Sequence, residues 1–264
     1  RAYEAATIRI DAAFIVKSKE QLATANGSCV FVWPLSWMGL STWLNFRIWA
    51  KNNISSINIV DQKKAFGEDA RVNVAVTRIE SCEDTIINGY FFDGGVKTKI
   101  AEKHVPFFFN DLSKSIFEKV NKLDKIVLHN KPLNPLDVAT SSAKCEMDDF
   151  NKAKLSSALF PLRIGKPGKY YIRCTTQQEQ DVYETWWYEP LPSFIVALLS
   201  ADWHSSQLNI GQLPDILSIL NGKAYNRQDV YDFIGLTKEE ITYLENKTWR
   251  LFKIDGISNR KNKK

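Results

Sequence analysis

The sequence predicts an α/β fold in which two parallel strands joined by a helix are followed by an antiparallel return, at the closing end of a larger sheet, with an α+β segment behind it. Three observations predict it. "SCVFVWP" (Ser28 to Pro34) is apolar throughout, the signature of a strand buried on both faces, as in a parallel sheet. A helical pattern separates it from a second apolar run, "ISSINIV" (Ile54 to Val60), and strand, helix, strand implies a right-handed crossover and a parallel pair. The next strand, "RVNVAVTRI" (Arg71 to Ile79), follows a connection of about ten residues, too short for another helical crossover, so it is expected to run antiparallel.

From Tyr3 to Ala25 the residues Ile8, Phe14, Ile15 and Leu22 recur at helical spacing, and Asn26-Gly27 supplies a C-terminal stop. Ser41 is placed to cap the crossover helix, which carries Trp43, Leu44, Ile48 and Trp49. Three strands alone would leave an apolar sheet edge unpaired. Beyond Glu80, "TIINGYFFDGG" reads as a hairpin, Asp111 caps a helix reaching Lys122, and "KIVLH" (Lys125 to His129) is a short strand. The Pro-containing stretch Asn130 to Pro135 is the expected domain boundary, dividing 1–130 from 131–264. The second part mixes short strands such as "KYYIRC" (Lys169 to Cys174) with helices, the last announced by a capping box, "TKEE" (Thr237 to Glu240), before Ile241 and Leu244.

With 264 residues, 44% hydrophobic and 25% charged, the composition is that of an ordinary globular protein with one sizeable core or two smaller ones. The chain begins with Arg1 and holds only Met38 and Met147, so its natural start is expected upstream. No stretch approaches the roughly 18 apolar residues of a membrane span, and no signal peptide is recognisable. Cys29, Cys82, Cys145 and Cys174 and the three histidines are scattered without metal or disulfide spacing, which fits a reducing cytoplasmic setting. Charge is uneven: residues 121–175 carry 10 Lys/Arg against 5 Asp/Glu, 176–246 carry 3 against 11, and the tail from Lys247 carries 7 against 1. Two basic segments flanking an acidic one are compatible with a polyanionic partner, although a charge run is more often just a solvated face.

No Gly-rich phosphate loop, metal-spaced His pair, nucleophile elbow or nucleophile-base pairing is present. "DQKK" (Asp61 to Lys64) is read as a short charged run after a strand rather than a nuclease carboxylate-x-Lys arrangement. In "PLRIGKPGKYYIRC" (Pro161 to Cys174), Arg163, Lys166, Lys169 and Arg173 are placed to neutralise phosphates, with Gly165 and Gly168 permitting close backbone approach. A solvent-facing hairpin with ordinary turn residues accounts for the same letters. "TWWYEP" (Thr185 to Pro190) is read as core, because its acidic surroundings repel a phosphate chain.

The run from "AFIVKSKEQLATANGSCVFVWPLSW" through "INIVDQKKAFGEDARVNVAVTRIE" resembles the second half of the catalytic domain of adenine-N6 DNA methyltransferases of restriction-modification type. That family shows a helix, a Gly, a strand ending in Pro and an aromatic, then a strand, an aromatic turn and a Val-rich strand. "FIVALLSADWHSSQLNIGQLPDI" and "DVYDFIGLTKEEITYLEN" are similar to the C-terminal region of its larger members. Together these cover roughly half of the chain, as patterns of moderate specificity. The resemblance implies the closing part of a Rossmann-like methyltransferase sheet over 1–130 and a DNA-recognition domain over 131–264. It implies methyl transfer from S-adenosylmethionine to adenine N6 of a base flipped out of double-stranded DNA.

The family's Gly-rich cofactor loop and its Asn/Asp-Pro-Pro-aromatic tetrad are both absent; "NPL" at Asn134 to Leu136 lacks the second Pro and the aromatic. The chain thus resembles the downstream part of such an enzyme, with no catalytic residue of its own. It would be inactive alone, the cofactor being held mainly by upstream residues or by a separate methyltransferase subunit. Phe66, in the turn before the Val-rich strand, matches the family's aromatic that stacks on the flipped adenine; the bland alternative is a lid folded back on the core. The rivals to an enzyme are a non-catalytic nucleic-acid-binding protein on a degenerate methyltransferase half, and a protein-interaction scaffold.

Overall fold

The computed structural model describes residues 10–22, 27–38, 43–60, 65–67, 74–88, 95–100, 105–106, 108–140, 162–163, 170–186, 189–199 and 210–246. The chain divides into two compact units, one of residues 1–111 with 198–205, the other of 112–197 with 206–264.

The first unit opens with helix α1 (Ile10–Gln21). Its buried residues are Ala12, Ile15 and Val16, whereas Phe14 is 63% exposed and makes a T-shaped contact with Phe31. The expected face of Phe14, Ile15 and Leu22 is therefore turned by part of a helical turn, with Ala12 rather than Leu22 beside Ile15; Ile8 lies outside the described residues. Strand β1 (Cys29–Pro34), a 3-10 turn (Leu35–Met38), helix α2 (Leu44–Ala50), β2 (Ile54–Ile59), β3 (Val74–Ile79), β4 (Thr85–Asn88) and β5 (Val96–Thr98) follow. Trp43 occupies the N-cap position of α2 and makes no side-chain cap; Ser41, expected there, lies outside the described residues.

These strands form one mixed sheet in the order β1-β3-β2-β4-β5. β3 runs antiparallel to both β1 and β2, so β1 and β2 point the same way without touching. The expected adjacent parallel pair is thus not formed; the parallel pair is β2 with β4. β3 instead lies between them and pairs with the facing backbone edges of β1 and β2 at once. The β4-β5 pair is antiparallel, as expected of a hairpin. Among the described residues β1 has one sheet neighbour and β2 has two. The β5 edge is three residues long and carries Lys97, whereas the β1 edge is six residues long and bears no charge.

One face of this sheet holds the core. Phe31, Trp33, Ala75, Thr77, Ile57 and Ile87 point to it, while Val30, Val32, Arg78 and Ile86 lie on the opposite, solvent-facing side. Gly95 approaches the outer face so closely that an added Cβ would sit 2.2 Å from Asn88 Oδ1 and 2.3 Å from Ile86 Cγ2. Gly95→Ala is expected to push both side chains aside and to cost about 1–3 kcal/mol, read as a lower urea midpoint at unchanged slope. An unchanged midpoint would contradict this packing.

The second unit holds helix α3 (Asp111–Asn121) and a small antiparallel sheet ordered β6-β9-β7-β8, built from β6 (Leu128–His129), β7 (Val138–Thr140), β8 (Leu162–Arg163) and β9 (Tyr170–Ile172). Asp137 ties this sheet to its flanks, accepting from the Cys174 amide (3.1 Å) with one oxygen and from the Leu133 and Asn134 amides with the other. Helices α4 (Gln177–Trp186), α5 (Pro190–Leu199, of which Leu198 and Leu199 are counted with the first unit), α6 (Ile216–Leu220), α7 (Arg227–Ile234) and α8 (Lys238–Asn246) follow. Local caps set their starts: Asp215 accepts from Leu217 N, and Asn226 from Gln228 N and Asp229 N. The predicted box before α8 is complete, Glu240 N donating to Thr237 Oγ1 (3.2 Å) and Thr237 N to Glu240 Oε2 (2.7 Å). Of the segment expected to be core, Trp186 and Pro190 are buried and Thr185 is exposed, while Trp187 and Tyr188 lie outside the described residues.

Candidate nucleic-acid interface

β1, β2 and β4 all end on one edge of the five-stranded sheet, and open α/β sheets bind ligands at the C-terminal ends of such strands. Phe66 belongs to the connection between β2 and β3, which leaves and re-enters at this edge. The connection is closed at its base by Val60 N donating to Val74 O (3.1 Å). Ala65 and Phe66 form a helical turn, and Gly67 follows at φ +82°, a conformation that residues with a Cβ rarely adopt. Phe66 is 57% exposed. A ring serving as a lid on the core would be largely covered, and this one is not.

Beneath the same edge the end of β1 is filled by aromatic residues. Trp33 stacks on Trp37 (centroids 5.5 Å) and meets Trp43 and Phe46 edge-on (5.7 and 5.0 Å), and all four are buried. Trp33 Nε1 donates to Thr77 Oγ1 at 3.0 Å, pinning the cluster to β3. Arg47 is buried there too, its Nη1 donating to Trp37 O at 2.6 Å, and burial pulls its guanidinium down to about 10.

A polar feature not foreseen from the sequence lies across the ends of β2 and β4. Asn88 Nδ2 donates to Asn58 Oδ1 (2.7 Å), and Asn58 Nδ2 donates to Ser56 Oγ and to Val76 O (3.3 Å each). The only signal was that Asn, a poor strand former, sits inside "SINIV" and at the end of "TIIN".

The basic stretch of the second unit is only partly described. Arg163 ends β8, and Arg173 is exposed just beyond β9; Lys166 and Lys169 lie outside the described residues. β8 and β9 do not pair with each other, because β7 runs between them, so the stretch is not a simple hairpin. Among the described residues no cluster of His, Cys, Asp or Glu could hold a metal, and no helix is long and apolar enough to cross a membrane. The thiols of Cys29, Cys82 and Cys174 are free. Burial pushes the Cys174 thiol up to about 12, with Glu179 and Asp137 adding to the rise, so it is no thiolate nucleophile near neutral pH.

Compared with known proteins, the chain matches no family model and no curated sequence.

Proposed function

We propose that this chain is part of a site-specific DNA methyltransferase that moves a methyl group from S-adenosylmethionine to adenine N6, within a restriction-modification system. The observation that carries the reading is the exposed Phe66 in the β2–β3 connection, at the edge where β1, β2 and β4 end. The antiparallel return of β3 supports it, being the closing element that the resemblance implies.

The described residues do not by themselves fit the cofactor. The end of β1 is closed by Trp37 and Met38, both fully buried, so they offer S-adenosylmethionine no cradle there. The reading assigns that role to residues outside this chain. Phe66 acts on the other substrate. An adenine extruded from the duplex loses stacking worth a few kcal/mol, and an exposed ring restores about 1–3 kcal/mol without selecting among bases. Arg163, Lys166, Lys169 and Arg173 are assigned to DNA phosphates, which fix register but carry no sequence information.

The test uses the full-length protein. Its target adenine is located by sequencing DNA from cells that express it, and a duplex carrying 2-aminopurine at that position reports stacking of the base. Phe66→Ala is expected to abolish the stacked signal and to lower turnover about tenfold or more, with the melting temperature unchanged. Absence of methylated adenine, or a Phe66→Ala protein with wild-type signal and turnover, would overturn the reading. A duplex bound and stacked without methylation would instead mark a non-catalytic binder.

A further inference from the structure

We propose that Asn58 and Asn88 are positioning residues that hold the base of the Phe66 loop, an inference that rests on the stacking role assigned to Phe66. The loop leaves the sheet after Val60 and returns at Val74, where Val60 N donates to Val74 O at 3.1 Å beyond the end of the β2–β3 ladder. Asn58 adds a side-chain tie to that ladder one step further in. Its side chain reaches across the ladder from β2 to the carbonyl of Val76 on β3, directly opposite it in register. Asn88, paired with Asn58 across the parallel ladder, donates into Asn58 Oδ1 and so fixes which end of the amide faces β3. With its oxygen occupied by Asn88, the Asn58 amide presents its N–H groups to Val76 O and Ser56 Oγ.

This arrangement has local costs. Asn is disfavoured in strands, and the Asn88 side chain occupies space that exists only because residue 95 is glycine. Features that break local rules collect at functional sites, where they hold a group to a geometry the fold alone would not specify. A ring that must meet the face of a base needs its loop anchored on rigid strands, because a displacement of about 1 Å at the root is enough to spoil such a site.

Asn58→Asp tests the idea in the full-length protein. It is nearly isosteric and still accepts from Asn88, but it sets a carboxylate oxygen against Val76 O in place of a donor. The expected result is a 2-aminopurine signal reduced to that of Phe66→Ala, with the dissociation constant for the duplex within about twofold of wild type, since phosphate contacts dominate affinity. In turnover, the double variant Phe66→Ala/Asn58→Asp should match Phe66→Ala alone, as for two residues acting as one unit. If Asn58→Asp fails to fold, Asn88→Ala replaces it, with a partial loss of signal expected. A variant that melts earlier yet keeps the wild-type base signal would overturn the positioning role and leave a structural one. Additive losses of turnover in the double variant would overturn it as well. If Phe66→Ala alone leaves base and turnover untouched, the proposed function fails, and the positioning role with it.

Discussion

Trp33→Ala is expected to unfold the first unit of the chain. Truncating a buried aromatic costs about 3–5 kcal/mol in lost contacts and unfilled volume. Trp33 meets Trp37, Trp43 and Phe46, so its removal takes a ring contact from each of them. The fully buried Thr77 also loses the N–H that meets its hydroxyl, a further penalty of about 1–3 kcal/mol. A domain has only about 5–15 kcal/mol to lose. The melting temperature should fall by more than about 15 °C, or the cooperative transition should vanish from near-ultraviolet circular dichroism. Trp33→Phe, which keeps a ring against Trp37 but lacks the donor, is expected to cost about 1–3 kcal/mol. A fall below about 5 °C for the alanine variant would show that the cluster is not the keystone of this unit.

Glu240→Ala is expected to cost the second unit about 3 kcal/mol. Glu240 is 2% exposed and gathers three donors: Ser115 Oγ (2.7 Å), Lys119 Nζ (2.6 Å) and its own cap amide at Thr237 (2.7 Å). Breaking a buried ion pair costs about 3–5 kcal/mol; the lower end applies because the Lys119 side chain, 28% exposed, still reaches water and Gly235 O. Burial alone would raise the Glu240 carboxyl, but Lys119, the Thr237 amide and Ser115 together outweigh it and hold it below the ordinary 4.5. A carboxyl with a depressed folded pKa contributes fully above its unfolded value and loses that contribution as pH falls through the folded one. The difference in unfolding free energy between wild type and Glu240→Gln should therefore be constant from pH 7 down to about 5 and shrink below about 4.5. A difference equal at pH 7 and pH 3 would remove the charge from the explanation.

What the sequence revealed follows the range of each interaction. The capping box at Thr237 and Glu240 was legible to the atom, because both of its hydrogen bonds close within four residues. Cys29–Pro34 was legible as a strand because apolar patterning is local, but its expected burial on both faces is not found: Val30 and Val32, each 58% exposed, lie on the solvent side. Partner choice was not: nothing in Val74 to Ile79 says that both of its edges will be taken, since sheet pairing is decided by packing against distant neighbours. The inner face of α1 was misplaced for a similar reason, Ala12 being a close-packing residue with a weak apolar signal. Phe66 stood out as an aromatic in a charged turn, and it is exposed as that position suggested. The Asn58–Asn88 bond joins residues thirty apart, and neither letter announces the other. In the basic stretch, the intrusion of β7 between β8 and β9 depends on a strand that precedes both.

The insertion of β3 between β1 and β2 bears on how the chain is made. β1 leaves the ribosome first and β2 next, and in the finished sheet neither is hydrogen-bonded to the other. At roughly 5–20 residues per second, the nascent chain waits a few seconds between completing β1 and delivering the strand that joins them. During that interval an uncharged six-residue apolar strand has no native partner to pair with. Slowing synthesis just before Val74 should therefore lengthen this exposure, while slowing it after Ile79 should not.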